Sequence, residues 1–164
     1  MHQQTIRHFG KLPVAAVTLS LLLTSSCHRS SDDDMSAEII ALERAALDRW
    51  GRGDPQGYLD RMAPEITYFD PAVEKRIDDL PAMRAYLAPL TGKIAISHYD
   101  MLAPKVQRHG SVAVLTFNLI DYPAHLEGRT DVPTRWNSTE IYAQIEGTWK
   151  IIHSHWSYIK PDLK

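Results

Sequence analysis

The final predicted strand, residues 148–158, constrains the fold more than any other stretch of this sequence. It reads Thr-Trp-Lys-Ile-Ile-His-Ser-His-Trp-Ser-Tyr, and its aromatic and β-branched residues favour a strand over a helix. Alternate side chains of a strand lie on opposite faces, and neither face is simply polar here. We therefore expect both faces to be covered, one by a pocket and the other by a partner.

Strict alternation divides this strand into two sets of side chains. One set is Trp149, Ile151, His153, His155 and Ser157, and the other is Lys150, Ile152, Ser154, Trp156 and Tyr158. His153 and His155, two residues apart on one face, have the spacing of paired imidazole metal ligands. No third ligand stands at local spacing, so packing or a subunit interface is the alternative role for this pair, and we expect no metal.

The N-terminus, residues 1–26, has the layout of a secretory signal peptide. A short basic start precedes an apolar run from Leu12 to Leu23, which is too short to span a bilayer. Small residues then precede Cys27, the only Cys, in an order that resembles the lipobox of bacterial lipoproteins. The resemblance implies that Cys27 carries a lipid anchor. An ordinary signal peptide with an unmodified Cys27 is the alternative.

The segment after Cys27, residues 28–34, is polar and acidic without an apolar residue, so we expect a disordered tether. The predicted organisation is a signal peptide over 1–26, a lipidated Cys and tether over 27–35, and one folded domain over 36–164. If the host is Gram-negative, lipoprotein sorting rules applied to His28 imply the outer membrane, facing the periplasm.

The charge of the chain is nearly balanced, with 18 basic and 20 acidic side chains. No basic patch interleaved with aromatic residues is visible, which argues against nucleic acid as a partner.

The hydrophobic pattern changes from helical to extended after Gly92. The predicted helices cover about Ser36–Gly51, a short segment that starts at Asp54-Pro55, carries Met62 and ends before Pro64, and about Pro81–Ala88. A strand is predicted at Ile66–Phe69, and four more at 94–107 (bent at Pro104), 112–122, 135–145 and 148–158, with a long loop over 123–133. Helices followed by adjacent antiparallel strands indicate an α+β domain, with one curved sheet around the helices.

Three motifs in this order carry a family resemblance. They are Trp50 with Gly53-Asp54 and Tyr58, then Tyr68-Phe69-Asp70-Pro71, and the closing residues 147–157. From about Ser36 to Pro161 the chain resembles the NTF2-like superfamily, most of all its SnoaL-like/DUF4440 group and the association (hub) domain of calcium/calmodulin-dependent protein kinase II. The resemblance implies an α+β cone with a pocket between helices and sheet, and a homodimer formed through the outer sheet face.

The resemblance leaves function open, because the superfamily includes isomerases, cyclases and dehydratases as well as binding and assembly modules. In the hub domain an Arg cluster in the pocket can hold a carboxylate. The matching positions here are about Asn118, Glu140 and Trp156, and none is Arg, which argues against the same anion site. Arg135, near the mouth, is the one possible substitute; a surface position is its alternative.

One hypothesis is an isomerase-, dehydratase- or cyclase-type enzyme that uses acid–base chemistry without a cofactor. Asp70, His98, Glu140 or His155 would supply the base, and Tyr68, Tyr142 or Trp156 the hydrogen-bond donor. Each base has a structural alternative: a strand-end turn for Asp70, a core histidine for His98, and an ion pair at a rim or interface for Glu140.

The hypothesis that we favour is a non-catalytic pocket for a small, mainly apolar or aromatic molecule. We expect its lining to include Trp50, Tyr58, Tyr68, Tyr86, Asn118, Arg135, Tyr142 and Trp156, for which core packing is the alternative. By the resemblance, Trp156 shares the pocket face, whereas His153 and His155 lie on the other face unless a bulge intervenes. His155 is therefore the weaker candidate.

Overall fold

A computed structural model describes the backbone of residues 24–124 and 132–160, with side chains from residue 32 onward. The helices are α1 (Thr24–Trp50), α2 (Gln56–Leu59) and α3 (Leu80–Leu87), and a 3₁₀ turn follows at Ala88–Leu90. The strands are β1 (Met62–Phe69), β2 (Ile77–Asp78), β3 (Ile96–His109), β4 (Val112–Pro123), β5 (Thr134–Ile145) and β6 (Thr148–Tyr158).

All six strands form one sheet in the order β2-β1-β6-β5-β4-β3. β1 runs parallel to β6, and every other neighbouring pair is antiparallel. The predicted α+β class and the four consecutive antiparallel strands are confirmed. The core lies between the helices and one face of the sheet, and includes Ile39, Leu47, Ile66, Met83, Leu115, Phe117, Tyr142 and Ile151.

Helix α1 begins earlier than the sequence predicts. It includes residues 28–34, which we expected to be an unstructured tether. No Gly or Pro interrupts residues 24–50, so nothing in the chain breaks the helix. Met35 already packs in the core at 8% exposure, and the Asp32 carboxylate pairs with Arg108 at 3.4 Å. Packing of the described side chains therefore begins one turn before Ser36.

The short second helix ends at Leu59, and the expectation that it continues through Met62 is wrong. Residues Met62–Phe69 form a strand that includes Pro64. The pairing of this strand with β6 is irregular between Met62 and Thr67. Pro64 is exposed there and has no N–H to contribute, so it sits in the one part of the strand that needs no ladder hydrogen bond.

Strand β3 is bent where Pro104 predicts it. The register with β4 shifts between Leu102 and Lys105, and Ala103 has a φ of +45°. The loop predicted over 123–133 matches the ends of β4 and β5, whereas its residues 125–131 lie outside the described part of the chain.

Strand β6 contains a β-bulge that changes which side chains share a face. Ile141 pairs with His153 but Tyr142 pairs with Ile151, so Ile152 is the extra residue. Trp149 and Ile151 before the bulge therefore share the core face with Ser154 and Trp156 after it; Trp149, Ile151 and Ser154 are buried. The strictly alternating faces predicted for this strand are therefore wrong, because one inserted residue reverses which side chains face the core after it.

His153 and His155 consequently point to the outer face. His155 is exposed and its ring lies 5.9 Å from that of Phe69. His153 Nδ1 is in hydrogen-bond contact with Thr67 Oγ1 at 2.8 Å. In the described residues no group of three His, Cys, Asp or Glu side chains is placed to hold a metal ion. None of the helices described here combines the length and apolar character needed to cross a membrane.

Candidate ligand-binding site

A cavity of about 100 Å³ lies between the helices and the core face of the sheet. All three helices contribute to its wall, as do strands β1, β3, β4, β5 and β6. The lining residues are Leu47, Trp50, Tyr58, Met62, Tyr68, Asp70, Met83, Leu87, Ile96, Tyr99, Leu119, Asp121, Trp136, Ser154 and Trp156. The lining is mainly apolar and aromatic with a few polar groups, which is the usual composition of a small-molecule site.

Asp70 follows the last residue of β1 and connects this strand to helix α3. Its Oδ2 accepts hydrogen bonds from the Tyr68 hydroxyl at 2.9 Å and the Tyr86 hydroxyl at 2.8 Å. Its Oδ1 accepts from the Ala72 N–H at 2.7 Å. Asp70 is therefore a strand-end turn former and a pocket residue at once. Burial, followed by the effect of the Asp70 carboxylate, raises the pKa of both tyrosines.

Asp121, near the end of β4, is a second carboxylate in the wall that we did not predict. Its Oδ2 accepts from the Trp136 indole N–H at 2.8 Å, and its Oδ1 accepts from the Thr134 N–H at 3.3 Å. The signal that could have found it is parity, because Asp121 follows the buried Phe117 and Leu119 at spacings of two along one strand.

Behind the cavity, Glu43 of α1 is fully buried, although a charged residue in a helix normally faces solvent. Its Oε1 accepts from the Tyr58 hydroxyl at 2.7 Å, and its Oε2 accepts from the Tyr142 hydroxyl at 2.6 Å. These two hydrogen bonds explain how a carboxyl group is accommodated in the core.

Glu140 of β5 is also fully buried. Its Oε1 accepts from the Ser154 hydroxyl at 2.9 Å, and Ser154 Oγ in turn accepts from the Trp156 indole N–H at 3.1 Å. Among the described residues, Glu140 Oε2 and the Ser138 hydroxyl have no hydrogen-bond partner of adequate geometry. Glu140 therefore lies behind the wall residues Ser154 and Trp156, which separate its carboxyl group from the cavity.

The buried carboxyl groups of Glu43 and Glu140 each make ionisation of the other less favourable. Burial is the main cause of the raised pKa of Glu140, and the charge of Glu43 adds to it. The pKa of Glu43 is raised by burial, against the lowering effect of the hydrogen bonds from Tyr142 and Tyr58. Since two carboxylates in one low-dielectric interior repel each other, the pair favours holding at least one proton.

The structure places the predicted site residues in three groups. Those in the cavity wall are Trp50, Tyr58, Tyr68, Asp70 and Trp156. Those that contact wall residues or the buried carboxyls from behind are Tyr86, Glu140 and Tyr142. Those that lie away from the cavity are Asn118, Arg135, His98 and His155, which are all exposed.

Strand parity explains why Asn118 and Arg135 do not reach the cavity. Asn118 lies on the outer face and donates to Asn137 at 2.8 Å. Arg135 is an odd-numbered residue of β5, whereas the side chains that face the helices are Trp136, Ser138, Glu140 and Tyr142. His98 is exposed and stacks on Tyr122 at a ring separation of 4.1 Å, so the structural alternative of a core histidine is also wrong.

The sequence matches the family model of the calcium/calmodulin dependent protein kinase II association domain over residues 35–160. The chain belongs to this association-domain family. The match covers α2, α3, all six strands and the part of α1 that begins at Met35, and it therefore includes every cavity residue.

Solved structures of related proteins agree with the fold. A candidate ketosteroid isomerase from Parabacteroides distasonis is 38% identical, with 75% of this chain and 86% of that chain covered and a TM-score of 0.65. An NTF2-like protein from Pseudomonas putida is 20% identical, with 80% and 91% covered and a TM-score of 0.67. The association domain of the C. elegans kinase is 21% identical, with 77% and 98% covered and a TM-score of 0.65.

The predicted NTF2-like fold is thereby confirmed. No curated protein matches the sequence at a significant level. The activity of this association-domain protein has to be inferred from its own cavity, since the fold hosts both isomerase-like and hub-like proteins.

Proposed function

We propose that this association-domain protein binds a small, mainly apolar or aromatic molecule in the cavity between its helices and sheet. The observation that carries the proposal is the cavity wall, in which six aromatic side chains surround a space of about 100 Å³. Apolar cavities of comparable size accept single-ring aromatic molecules. A benzene-sized ring with one polar substituent fits these dimensions and this chemistry.

Tryptophan fluorescence provides the test, because Trp50, Trp136 and Trp156 line the cavity and Trp149 does not. Titration of the full-length protein with benzyl alcohol should give a saturable spectral change. Trp156→Phe should remove a large part of this change, whereas Trp149→Phe, the matched control in the same strand, should retain it. An unsaturable response, or equal responses in both variants, would count against a ligand in this cavity.

A second candidate function is acid–base catalysis, which one specific arrangement favours. The buried Glu140 carboxyl lies one hydrogen bond behind the wall, with its pKa raised by burial, as is required of a proton donor or acceptor that works near neutral pH. The 38% identical neighbour is a candidate ketosteroid isomerase. If the chain is an isomerase of this kind, Glu140→Gln should abolish the conversion of a β,γ-unsaturated ketone to its conjugated isomer. Glu146→Gln, the same substitution at an exposed position, should leave this activity unchanged.

We further propose that the protein self-associates through the outer face of its sheet. This face presents Asn118, Asn137 and His155 to solvent in one protomer. Light scattering should give twice the mass of one chain. Asn137→Arg places two like charges opposite each other across the interface and should reduce the measured mass. An unchanged mass in Asn137→Arg would contradict an interface at this position.

The N-terminal anchor is a proposal that rests on the sequence. We propose that Cys27 is lipidated and holds the domain at the cell envelope, on the outer membrane in a Gram-negative host. Metabolic labelling with a fatty acid should mark the wild-type protein, and Cys27→Ser should abolish the label. Continued labelling of Cys27→Ser would overturn the assignment.

A further inference from the structure

The charges in the cavity wall have one sign. Among the described residues that line it, Asp70 and Asp121 are carboxylates, and none is Lys, Arg or His. The two carboxylates come from the ends of β1 and β4, on separate parts of the wall. A molecule in the cavity therefore meets negative charge from more than one direction.

Neither carboxylate is neutralised by a cation. Every hydrogen-bond donor that reaches them is uncharged: two tyrosine hydroxyls and one backbone N–H for Asp70, and one indole and one backbone N–H for Asp121. Within the described residues no ion pair includes either of them. A carboxylate has about four acceptor positions, so Asp70 keeps about one and Asp121 about two for a ligand.

The aromatic part of the wall suits the same type of ligand. The rings of Trp136 and Trp156 stand 6.0 Å apart at an interplanar angle of 88°, and both line the cavity together with Trp50 and Tyr99. The faces of such rings carry partial negative charge and attract organic cations, and a corner of aromatic rings is the usual site for a substituted ammonium group.

From these observations we infer that the cavity selects small organic cations, namely protonated amines with an aromatic or apolar body. The inference rests on the proposed function and adds the charge of the ligand to it. An organic carboxylate would face Asp70 and Asp121 without any guanidinium or ammonium partner in the described wall, at a cost that increases as water is excluded.

The test is a matched series of ligands that differ mainly in charge. Benzylamine, benzyl alcohol and benzoate share one ring and nearly the same size, and each is titrated calorimetrically into the full-length protein at neutral pH and low salt. Benzylamine should bind about tenfold more tightly than benzyl alcohol, because its ammonium group is attracted both by the faces of the aromatic rings and by the two carboxylates. Benzoate should bind most weakly.

Two substitutions identify the source of the preference. Asp121→Asn and Asp70→Asn should each reduce the ratio of benzylamine to benzyl alcohol affinity by several-fold, since each removes one charge at nearly constant shape. Asp100→Asn is the matched control, because Asp100 is exposed and accepts a tyrosine hydroxyl in the same way; it should leave the ratio unchanged.

The outcomes separate this inference from the proposed function. Equal affinity for benzylamine and benzyl alcohol, or tighter binding of benzoate, would overturn the cation preference while the pocket itself stands. Binding of none of the three ligands would overturn both. A preference that survives in both Asp70→Asn and Asp121→Asn would show that these carboxylates do not select the ligand, and would also overturn the inference.

Discussion

The Ser154 hydroxyl donates a hydrogen bond of 2.9 Å to the buried Glu140 carboxyl, while Ser154 itself lines the cavity. One side chain thus joins the ligand space to a carboxyl group in the core. The β-bulge at Ile152 produces this relationship, because without the extra residue Ser154 would face away from the helices. Glu140 in turn shares the interior with Glu43, so the state of protonation of the pair affects the stability of the whole domain.

Replacing Glu140 by Gln should change how stability depends on pH. Because the pKa of Glu140 is raised in the folded chain, the folded state binds more protons than the unfolded state above the ordinary Glu pKa. The free energy of unfolding of the wild type therefore falls as pH rises from that value through the raised pKa. Between pH 5 and pH 8 we expect a loss of about 1 kcal/mol or more in the wild type and a smaller loss in Glu140→Gln.

Urea unfolding at the two pH values measures this difference. Glu146→Gln is the control, since Glu146 is exposed in the turn between β5 and β6, and it should retain the wild-type slope. A Glu140→Gln slope equal to that of the wild type would mean that Glu140 ionises as freely in the folded chain as in the unfolded one.

Removing the Tyr142 hydroxyl should destabilise the fold. Tyr142 is fully buried and donates to Glu43 Oε2 at 2.6 Å, so Tyr142→Phe leaves a buried acceptor without its donor, at a cost of about 1–3 kcal/mol. Tyr122→Phe removes an exposed hydrogen bond to Asp100 and should cost less than about 0.5 kcal/mol. Chemical denaturation compares the two, and equal costs would contradict the described role of Tyr142.

The turn after α1 depends on a glycine for space as well as for conformation. Gly53 has a φ of +77°, and a Cβ there would lie 3.0 Å from both Gly92 Cα and the Ile94 carbonyl oxygen. Gly110 also has a positive φ of +64°, with nothing within 4 Å of its added Cβ. Both Ala variants pay the conformational cost, but Gly53→Ala should cost about 1–3 kcal/mol more, because backbone must move. Similar melting temperatures for the two variants would contradict this.

Deleting Ile152 tests the bulge. The deletion should restore strict alternation and move either Ser154 and Trp156 or Trp149 and Ile151 off the core face. We expect a loss of at least about 3 kcal/mol, as for disruption of a packed core. Ile152→Ala keeps the bulge and removes only a half-buried side chain, so it should cost clearly less. A deletion variant as stable as Ile152→Ala would show that the register is set elsewhere.

Much of the fold was predictable, because the spacing of the hydrophobic residues and the positions of the turn residues indicate its helices and strands directly. The four long strands follow from their apolar runs and from turns such as Glu146-Gly147, and α3 follows from Asp79, whose side chain accepts from the Ala82 N–H at 2.8 Å. The two-residue strand β2 and the strand conformation around Pro64 carry no local signal, since pairing with distant residues determines both.

The site was less predictable, because a pocket depends on the face of each strand. Asn118 was assigned to the cavity by its match to a pocket position of the hub domain, and Arg135 as a possible substitute for the hub's Arg cluster. Parity relative to Leu119 and Trp136 places both on the outer face. Glu43 was missed because a charged residue in a helix normally faces solvent, and its two tyrosine partners are 15 and 99 residues away in sequence.

A variant whose side chain fills the cavity shows whether the cavity holds a ligand. Ile96 lines the cavity and is half-buried, so Ile96→Trp should occupy the space with little damage to the core. Leu102→Trp, on the same strand but 44% exposed outside the cavity, is the matched control. Calorimetric titration with benzyl alcohol should show saturable binding to the wild type and to Leu102→Trp, and at least tenfold weaker binding to a folded Ile96→Trp. Undiminished binding by Ile96→Trp, or no binding by the wild type, would contradict ligand binding in this cavity.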